Sequence, residues 1–299
     1  MAQAVSVQER KRLREGPSAT SKTLVAIAGF VLFTLFMLPF VLVVINSAKT
    51  TVEISLNPVA LPTDWSQIFT NVAGVVNNPN FSYWSAFLDS VIITTLSLVV
   101  IVVFSAMGAW VLVRNKAWWS TALFMVLVAA MVVPFQVIML PLVQWLRIFG
   151  DLIGIGLNSN YLGIVLCYLG FGASLSMFIF HGFIKGVPLE LEEAADIDGC
   201  SRAGVFFRIV LPLLQPTAVT VMILNGIWIW NDFLLPLLVL GANGRVQTLP
   251  LAVASFAGAF IKQWDLILTS TLLAMLPIIV LFLFAQRYII KGMVEGSIK

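Results

Sequence analysis

Six long runs of apolar residues divide this chain of 299 residues. A membrane-spanning helix needs about 20 mostly apolar residues to cross roughly 30 Å of hydrocarbon, and each run is long enough. The runs are continuously apolar rather than alternating, which favours helices over the strands of a barrel. The pattern therefore predicts an all-α membrane protein with six transmembrane helices: Leu24–Ile45, Val91–Val113, Thr121–Leu142, Tyr161–Phe180, Thr217–Leu240 and Leu266–Ile290.

The basic residues fall unevenly on the two sides of these spans. Thirteen of the seventeen Lys and Arg residues lie on the side that holds both termini. Cytoplasmic loops of membrane proteins carry an excess of Lys and Arg, so both termini are predicted to be cytoplasmic. Residues 1–23 form a polar, charged extension on that side, and we expect them to be disordered.

Composition argues against several kinds of site. The sequence is 60% hydrophobic and 10% charged, with a mean hydropathy of +1.01, far outside the range of soluble globular proteins. Cys167 and Cys200 are too far apart for a zinc site or a disulfide framework. The sequence has no G-x-x-x-x-G-K-[ST] phosphate-binding loop, and its single histidine, His181, ends a predicted span. We therefore predict no catalytic residue, no metal site and no cofactor in this chain.

The loop between the fourth and fifth spans concentrates negative charge. Five of the fourteen acidic residues lie within nine of its positions. Pro188 and the glutamates after it suit the first turn of a helix, where the dipole favours anions. Gly199 suits a helix end with positive φ, and Ser201 suits the cap of a second helix. This predicts a surface helix–turn–helix that presents apolar residues to a partner, namely Leu189, Ala194, Ala195 and Ile197. A solvated amphipathic linker is the alternative.

The residue pattern of this loop resembles a known signature. Glu193, Ala194, Ala195, Asp198 and Gly199, followed by Ile209, Leu211, Pro212 and Pro216 at fixed spacing, resemble the cytoplasmic motif of binding-protein-dependent ABC importer permeases. One departure is Cys200, where that motif usually has Ala. The segments 133–138, 230–233 and 248–251 are similar to the carbohydrate branch. Within that branch the chain most resembles the second, smaller permease subunit of maltose-type importers.

The resemblance implies a type I ABC importer permease fold over residues 24–290, with a coupling loop at 182–216 and a C-terminal tail at 291–299 that contacts ATPase subunits. It implies a bacterial plasma membrane protein that forms half of a sugar pathway. The implied partners are a second permease subunit, two ATP-binding subunits that hold ATP and Mg²⁺, an extracytoplasmic sugar-binding protein and membrane lipid, with no nucleic acid. The residues implied to couple to the ATPase are Glu193, Ala194, Ala195, Asp198, Gly199, Ile209, Leu211 and Pro212.

Two other groups of residues are candidates for contact with substrate or partner. Asn225, Trp228 and Asp232 share one face of the fifth span, where Trp228 could stack on a sugar and Asn225 could bond its hydroxyls. The alternative is that Asp232 and Asn231 bond to backbone or to a neighbouring span and hold the bundle together. By similarity, the external loop 241–265 would reach toward the binding protein through Gly244, Leu249, Pro250 and Trp264.

Two other function classes are compatible with parts of the sequence. An ion-coupled secondary transporter would act alone, but that class tends to show repeats and several intramembrane charges. The chain has no evident repeat, and only Asp232 lies deep in a predicted span. A membrane receptor or scaffold would explain the acidic loop but would not explain the prolines within and at the ends of the spans.

Overall fold

The computed structural model describes residues 19–79, 82–242, 244–256 and 263–297. Most of the predicted N-terminal extension and residues 257–262 of the external loop lie outside the described residues. Within the described ranges the regular structure is helical throughout. The α-helices are α1 (Ala19–Ser47), α2 (Thr51–Leu56), α3 (Gln67–Val76), α4 (Tyr83–Arg114), α5 (Trp118–Ala130), α6 (Phe135–Ile153), α7 (Tyr161–Ile184), α8 (Glu190–Ile197), α9 (Arg202–Val205), α10 (Leu211–Leu213), α11 (Gln215–Asn231), α12 (Leu234–Leu240), α13 (Leu249–Val253) and α14 (Trp264–Ser297).

Among the described residues, α1, α4, α6, α7 and α14 are each long and apolar enough to cross a membrane. A sixth crossing is obtained if the segment Arg202–Leu213 and α11, which meet at a bend of 76°, are taken as one broken span. The predicted all-α membrane fold is thereby confirmed, with five spans among the described residues, or six if the bent pair is counted as one. The first, second, fourth and sixth predicted spans lie within α1, α4, α7 and α14. Each of these helices extends beyond both predicted limits, except that α7 begins at the predicted residue, Tyr161.

The third predicted span, Thr121–Leu142, is wrong as a single helix. The chain leaves the helical conformation between α5 and α6, at residues 131–134. Pro134 has no N–H to donate and disfavours the helical conformation of the residue before it, so the helix stops there. Pro134 then precedes α6 with extended dihedral angles (φ −63°, ψ 136°). α6 runs on to Ile153 and ends at Gly154, whose φ is +69°.

The fifth predicted span, Thr217–Leu240, is also broken. α11 ends at Asn231, and α12 begins at Leu234 after two non-helical residues. α11 starts before the predicted limit, with Pro216 in its first turn, where a missing N–H has no helical acceptor to lose. A sharp bend at Leu214 separates α11 from a segment made of α9, one π-helical turn (Phe206–Val210) and α10.

α4 and α7 form the centre of the bundle. The buried face of α4 is rich in small side chains: Ala86, Ser90, Ser97, Ser105, Ala106 and Ala109. Gly108 of α4 lies so close to Met177 that a Cβ atom at Gly108 would clash with the methionine side chain. Gly172 of α7 lies equally close to Ile101. Small residues let helix backbones approach closely in a membrane, where packing rather than the hydrophobic effect drives association.

The segment between α1 and α4 folds onto α14. The Asn71 amide of α3 donates to the carbonyl oxygens of Ser47 and Lys49. Thr269 of α14 also donates to the Ser47 carbonyl, and Thr51 donates to Asp265. Lys49 is fully buried and donates to the Asn46 side chain and to the Asn57 carbonyl. These bonds fix the end of α1 to the start of α14.

Candidate functional site

The acidic loop forms the predicted helix–turn–helix. Three glutamates lie in the first turn of α8, as the helix dipole favours. Gly199 has a φ of +81° directly after the helix end, and the Cys200 N–H donates to the Ala195 carbonyl across this turn. The Ser201 hydroxyl then accepts from the Gly204 N–H and caps α9. Glycine is favoured at position 199 because other residues rarely adopt positive φ.

Four of the eight predicted coupling residues lie on the outward side of α8 or in the turn after it. Glu193, Ala194, Asp198 and Gly199 are exposed, and so is Leu189. Ile197, which ends the helix, is 86% exposed. Exposed apolar side chains flanked by carboxylates form a small amphipathic surface at the helix end. This surface has the character of a contact site for another protein.

Ala195 does not belong to that surface, and the prediction for it is wrong. Its side chain is 6% exposed and packs in the main apolar core with Val205 and Phe206. Ile209 and Leu211 are half-buried against the same core, whereas Pro212 is exposed. The helical period rotates Ala195 away from Ala194 by about 100°, so the two alanines cannot face one partner.

The inward side of α8 is anchored to α4 by Glu192, which the sequence analysis did not single out. Glu192 is 2% exposed, and its Oε2 accepts from Trp110 Nε1 at 2.9 Å. Its Oε1 accepts from Arg114 Nε at 2.9 Å and lies 2.7 Å from Arg114 Nη2. Arg114 Nη2 also donates to the Val187 carbonyl just before α8. The spacing of Trp110 and Arg114, one helical turn apart on α4, is the only sequence signal of this site.

Two of the candidate substrate residues line a cavity of about 790 Å³ between α6, α7 and α11. Trp228 lies on its wall, half-exposed, with its ring edge-to-face to Tyr168 at 5.4 Å between centroids. Asn225 also lines the cavity, but its amide donates to the Ser176 hydroxyl at 3.0 Å and to the Val221 carbonyl at 2.9 Å. The wall is otherwise mainly apolar and aromatic, with Phe135, Trp145, Phe149 and Phe171.

Asn231 and Asp232 do not belong to the residues that line this cavity. The Asn231 amide donates to the Ile227 carbonyl of its own helix. Asp232 lies in the break between α11 and α12, where its Oδ1 accepts from the Leu234 and Leu235 N–H groups. Its Oδ2 accepts from the Tyr168 hydroxyl of α7 at 3.1 Å. These contacts support the alternative that Asp232 and Asn231 hold the bundle together.

The described part of the segment after α12 is folded back onto α4, contrary to the prediction of a projecting loop. Leu249 is fully buried, so the prediction that it contacts a partner is wrong. Its N–H donates to the Ser90 hydroxyl of α4 at 2.7 Å, and the Gln247 N–H donates to Asp89 at 3.0 Å. Pro250 lies in the first turn of α13, and Gly244 packs so close to the Leu240 carbonyl that a Cβ atom would clash with it.

Trp264 remains partly accessible at the start of α14, where it is 38% exposed.

Asp89 is a second buried acidic residue that the sequence analysis did not recognise, because the predicted span began two residues after it. It also accepts a short hydrogen bond from the Tyr161 hydroxyl of α7. Asp89 therefore joins α4, α7 and the segment that leads into α13.

A multi-pass helical bundle with broken spans and an exposed helix–turn–helix between two of them is the architecture of a membrane transport component. The comparisons with known proteins agree. Residues 101–295 match the family described as "Binding-protein-dependent transport system inner membrane component", and the chain belongs to that family.

Several relatives of this chain are permease proteins with closely matching lengths. It is 40% identical over 278 residues to a "Probable starch degradation products transport system permease protein" of Thermoanaerobacterium thermosulfurigenes, covering 93% of this chain and 97% of that one. It is 30% identical to a "Multiple sugar-binding transport system permease protein" of Streptococcus mutans, covering 89% and 92%. It is 31% identical to an "Arabinooligosaccharides transport system permease protein" of Halalkalibacterium halodurans, covering 87% and 90%.

A solved structure shares the fold. The match is to a chain of a bacterial ABC transporter involved in the import of the acidic polysaccharide alginate, with a TM-score of 0.72 and 18% identity, covering 92% of this chain and 99% of that one. The fold is therefore that of a type I ABC importer permease, as the resemblance implied. The family and the fold support an importer subunit over an ion-coupled transporter that acts alone.

Proposed function

We propose that this chain is a permease subunit of an ATP-driven, binding-protein-dependent sugar importer. The support for a sugar substrate is that several relatives of nearly the same length carry sugars or sugar polymers in their names. In this proposal the chain is the second, smaller permease subunit of the maltose type and forms half of the pathway. The other half belongs to a second permease subunit, and an extracytoplasmic protein delivers the sugar.

The proposal assigns ATP hydrolysis to two partner subunits that contact the outward side of α8. The observation that carries this assignment is the exposure of Ile197, Glu193 and Ala194 on a short helix whose other side is fixed to the bundle. Glu193 would pair with a basic group of the ATP-binding subunit, and Gly199 would hold the turn that positions α9. This side of the protein, with both termini, is then cytoplasmic, in agreement with the positive-inside rule.

The cavity between α6, α7 and α11 is the proposed contribution of this chain to the sugar pathway. Trp228 offers a partly exposed aromatic face at its wall, which can stack on the apolar face of a sugar ring. Asn225 Nδ2 already donates to Ser176 and Val221, so its Oδ1 is the atom that could accept a hydrogen bond from a sugar hydroxyl group. The outer segment around Pro250 and Trp264 would contact the binding protein through its exposed atoms only.

Two substitutions on α8 and its turn test the proposed docking. For this test the chain would be co-expressed with a second permease subunit, an ATP-binding subunit and a binding protein from the same organism. Glu193→Gln removes the exposed charge, and Gly199→Ala strains a residue at φ +81°. We expect both variants to insert normally, to retain less ATP-binding subunit during purification and to take up less sugar. Wild-type retention and wild-type uptake in both variants would refute the docking role.

A further inference from the structure

The contact between α8 and α4 connects the exposed helix α8 to the centre of the helix bundle. Glu192 is buried and bridges two side chains that lie one turn apart at the end of α4. α4 is the helix that packs most extensively on α7, at the centre of the protein. α8 is therefore tied to a central span through side chains as well as through the chain on either side of it.

The bonds of this contact are of the strong and directional kind. The Arg114 guanidinium meets one Glu192 oxygen through two nitrogens, at 2.7 and 2.9 Å, and the Trp110 indole N–H meets the other oxygen. Charge-assisted bonds of this geometry are stronger than neutral ones, and a planar guanidinium fixes orientation. Arg114 also bonds to the Val187 carbonyl, so the entry to α8 is held by the same side chain.

The second half of the loop is joined to the same site through aromatic packing. The ring centroids of Trp110 and Phe206 lie 5.6 Å apart. Phe206 is at the start of the π-helical turn and is 1% exposed. Trp110 therefore contacts α8 with its N–H and the segment leading to α11 with its ring. A displacement of α8 is transmitted to three elements at one point: α4, the stretch before α8 and the π-helical turn.

We infer that Glu192, Arg114 and Trp110 form a clamp that couples the motion of α8 directly to α4. The inference rests on the proposed function, in which α8 receives movement from an ATP-binding subunit. On α8, the exposed Glu193 would contact the partner whereas the buried Glu192 contacts α4, so neighbouring glutamates have separate roles. Glu192 is a positioning residue that acts through α4 and touches neither nucleotide nor sugar.

The test compares neutralised glutamates of α8 in the assembled importer in lipid vesicles. Glu192→Gln keeps the size of the side chain and removes its charge. Glu190→Gln is the matched control, because Glu190 is an exposed acid in the same first turn. The three measurements are the amount of ATP-binding subunit that co-purifies, the rate of ATP hydrolysis in the presence of loaded binding protein, and the sugar moved per ATP hydrolysed.

We expect Glu192→Gln to keep the ATP-binding subunit and to hydrolyse ATP while the sugar moved per ATP falls at least about tenfold, a change within the usual range of coupling between sites. Glu190→Gln, on the outward side of α8, is expected to keep the wild-type amount of sugar moved per ATP in the complexes that retain the ATP-binding subunit. A wild-type ratio of sugar to ATP in Glu192→Gln would overturn the clamp, and so would a loss of the ATP-binding subunit as large as that in Glu193→Gln. Wild-type retention and uptake in both Glu193→Gln and Gly199→Ala would instead overturn the proposed docking.

A second variant keeps the inference testable if Glu192→Gln fails to fold. Trp110→Phe retains an aromatic ring against Phe206 and removes only the N–H that reaches Glu192. It is expected to lower the sugar moved per ATP in the same direction by a smaller factor, with unchanged retention of the ATP-binding subunit. A wild-type ratio in Trp110→Phe would show that the bond to Glu192 is not used in coupling.

Discussion

Single residues decide how closely the central helices approach one another. At Gly172, a Cβ atom would lie 2.7 Å from Asn225 Oδ1 and 2.7 Å from Ile101 Cδ1. The first contact is with α11 and the second with α4, so this glycine lets three helices meet. Gly172 also affects the cavity, because Asn225 lies beside Gly172 and lines the cavity wall.

The substitution Gly172→Ala is expected to destabilise the protein by about 1–3 kcal/mol, because overpacking forces side chains and backbone to shift. Gly170→Ala is the matched control in the same helix, since a Cβ atom there would have no neighbour within 4 Å. Thermal unfolding of both variants in detergent measures the difference. We expect a lower Tm for Gly172→Ala only; equal Tm values for the two variants would contradict the close approach.

At the scale of elements, polar side chains hold the short helices in place. α12 begins where Asp232 accepts from its first N–H groups, and α13 is fixed where Ser90 accepts from the Leu249 N–H. Buried backbone donors without a partner are costly, so these two side chains determine where α12 and α13 can lie. α8 is held in a different way, because its own Glu192 accepts from side chains of α4.

The substitution Ser90→Ala tests this rule at α13. It leaves the buried Leu249 N–H without its acceptor, which costs about 1–3 kcal/mol and favours local opening of the segment. We expect faster amide hydrogen exchange in residues 246–256, with little change in α7. Ser85→Ala is the control, because Ser85 is exposed on the same helix. Equal exchange in the two variants would contradict the role assigned to Ser90.

Some of these elements could be predicted from the sequence and others could not, for physical reasons. Runs of apolar residues located four spans well, and the turn at Gly199 followed from local chemistry alone. The breaks at Pro134 and Asp232 were missed because hydropathy does not register them. Pro134 falls inside the third predicted span although it precedes the start of α6, and Asp232 falls inside the fifth although it accepts from the first N–H groups of α12.

The errors at Ala195 and Leu249 have a different origin. Both residues lie in motifs that resemble a family signature, and motif membership does not say which way a side chain points. Their burial depends on contacts with elements distant in the sequence, the core around Phe206 for Ala195 and α4 for Leu249. Glu192 was missed for the same reason, because its partners lie about 80 residues away on α4.

At the scale of the whole molecule, the fold separates a rigid centre from two outer surfaces. α4 and α7 form the centre, and the side chains of Asp89 and Glu192 connect opposite ends of α4 to α13 and to α8. α4 is therefore in contact with both surfaces at which the proposed partners would bind. In the proposed function, the binding protein acts near one end and the ATP-binding subunit near the other.

The contact of α8 with an ATP-binding subunit is the central claim, and a photo-crosslinking amino acid at position 197 tests it most directly. Ile197 is 86% exposed on α8, and Val132, 81% exposed in the break after α5, is the control position. In membranes that contain the complete importer, we expect light to join position 197 to the ATP-binding subunit and position 132 not to do so. An absence of that product at position 197, in an importer that still takes up sugar, would contradict the account.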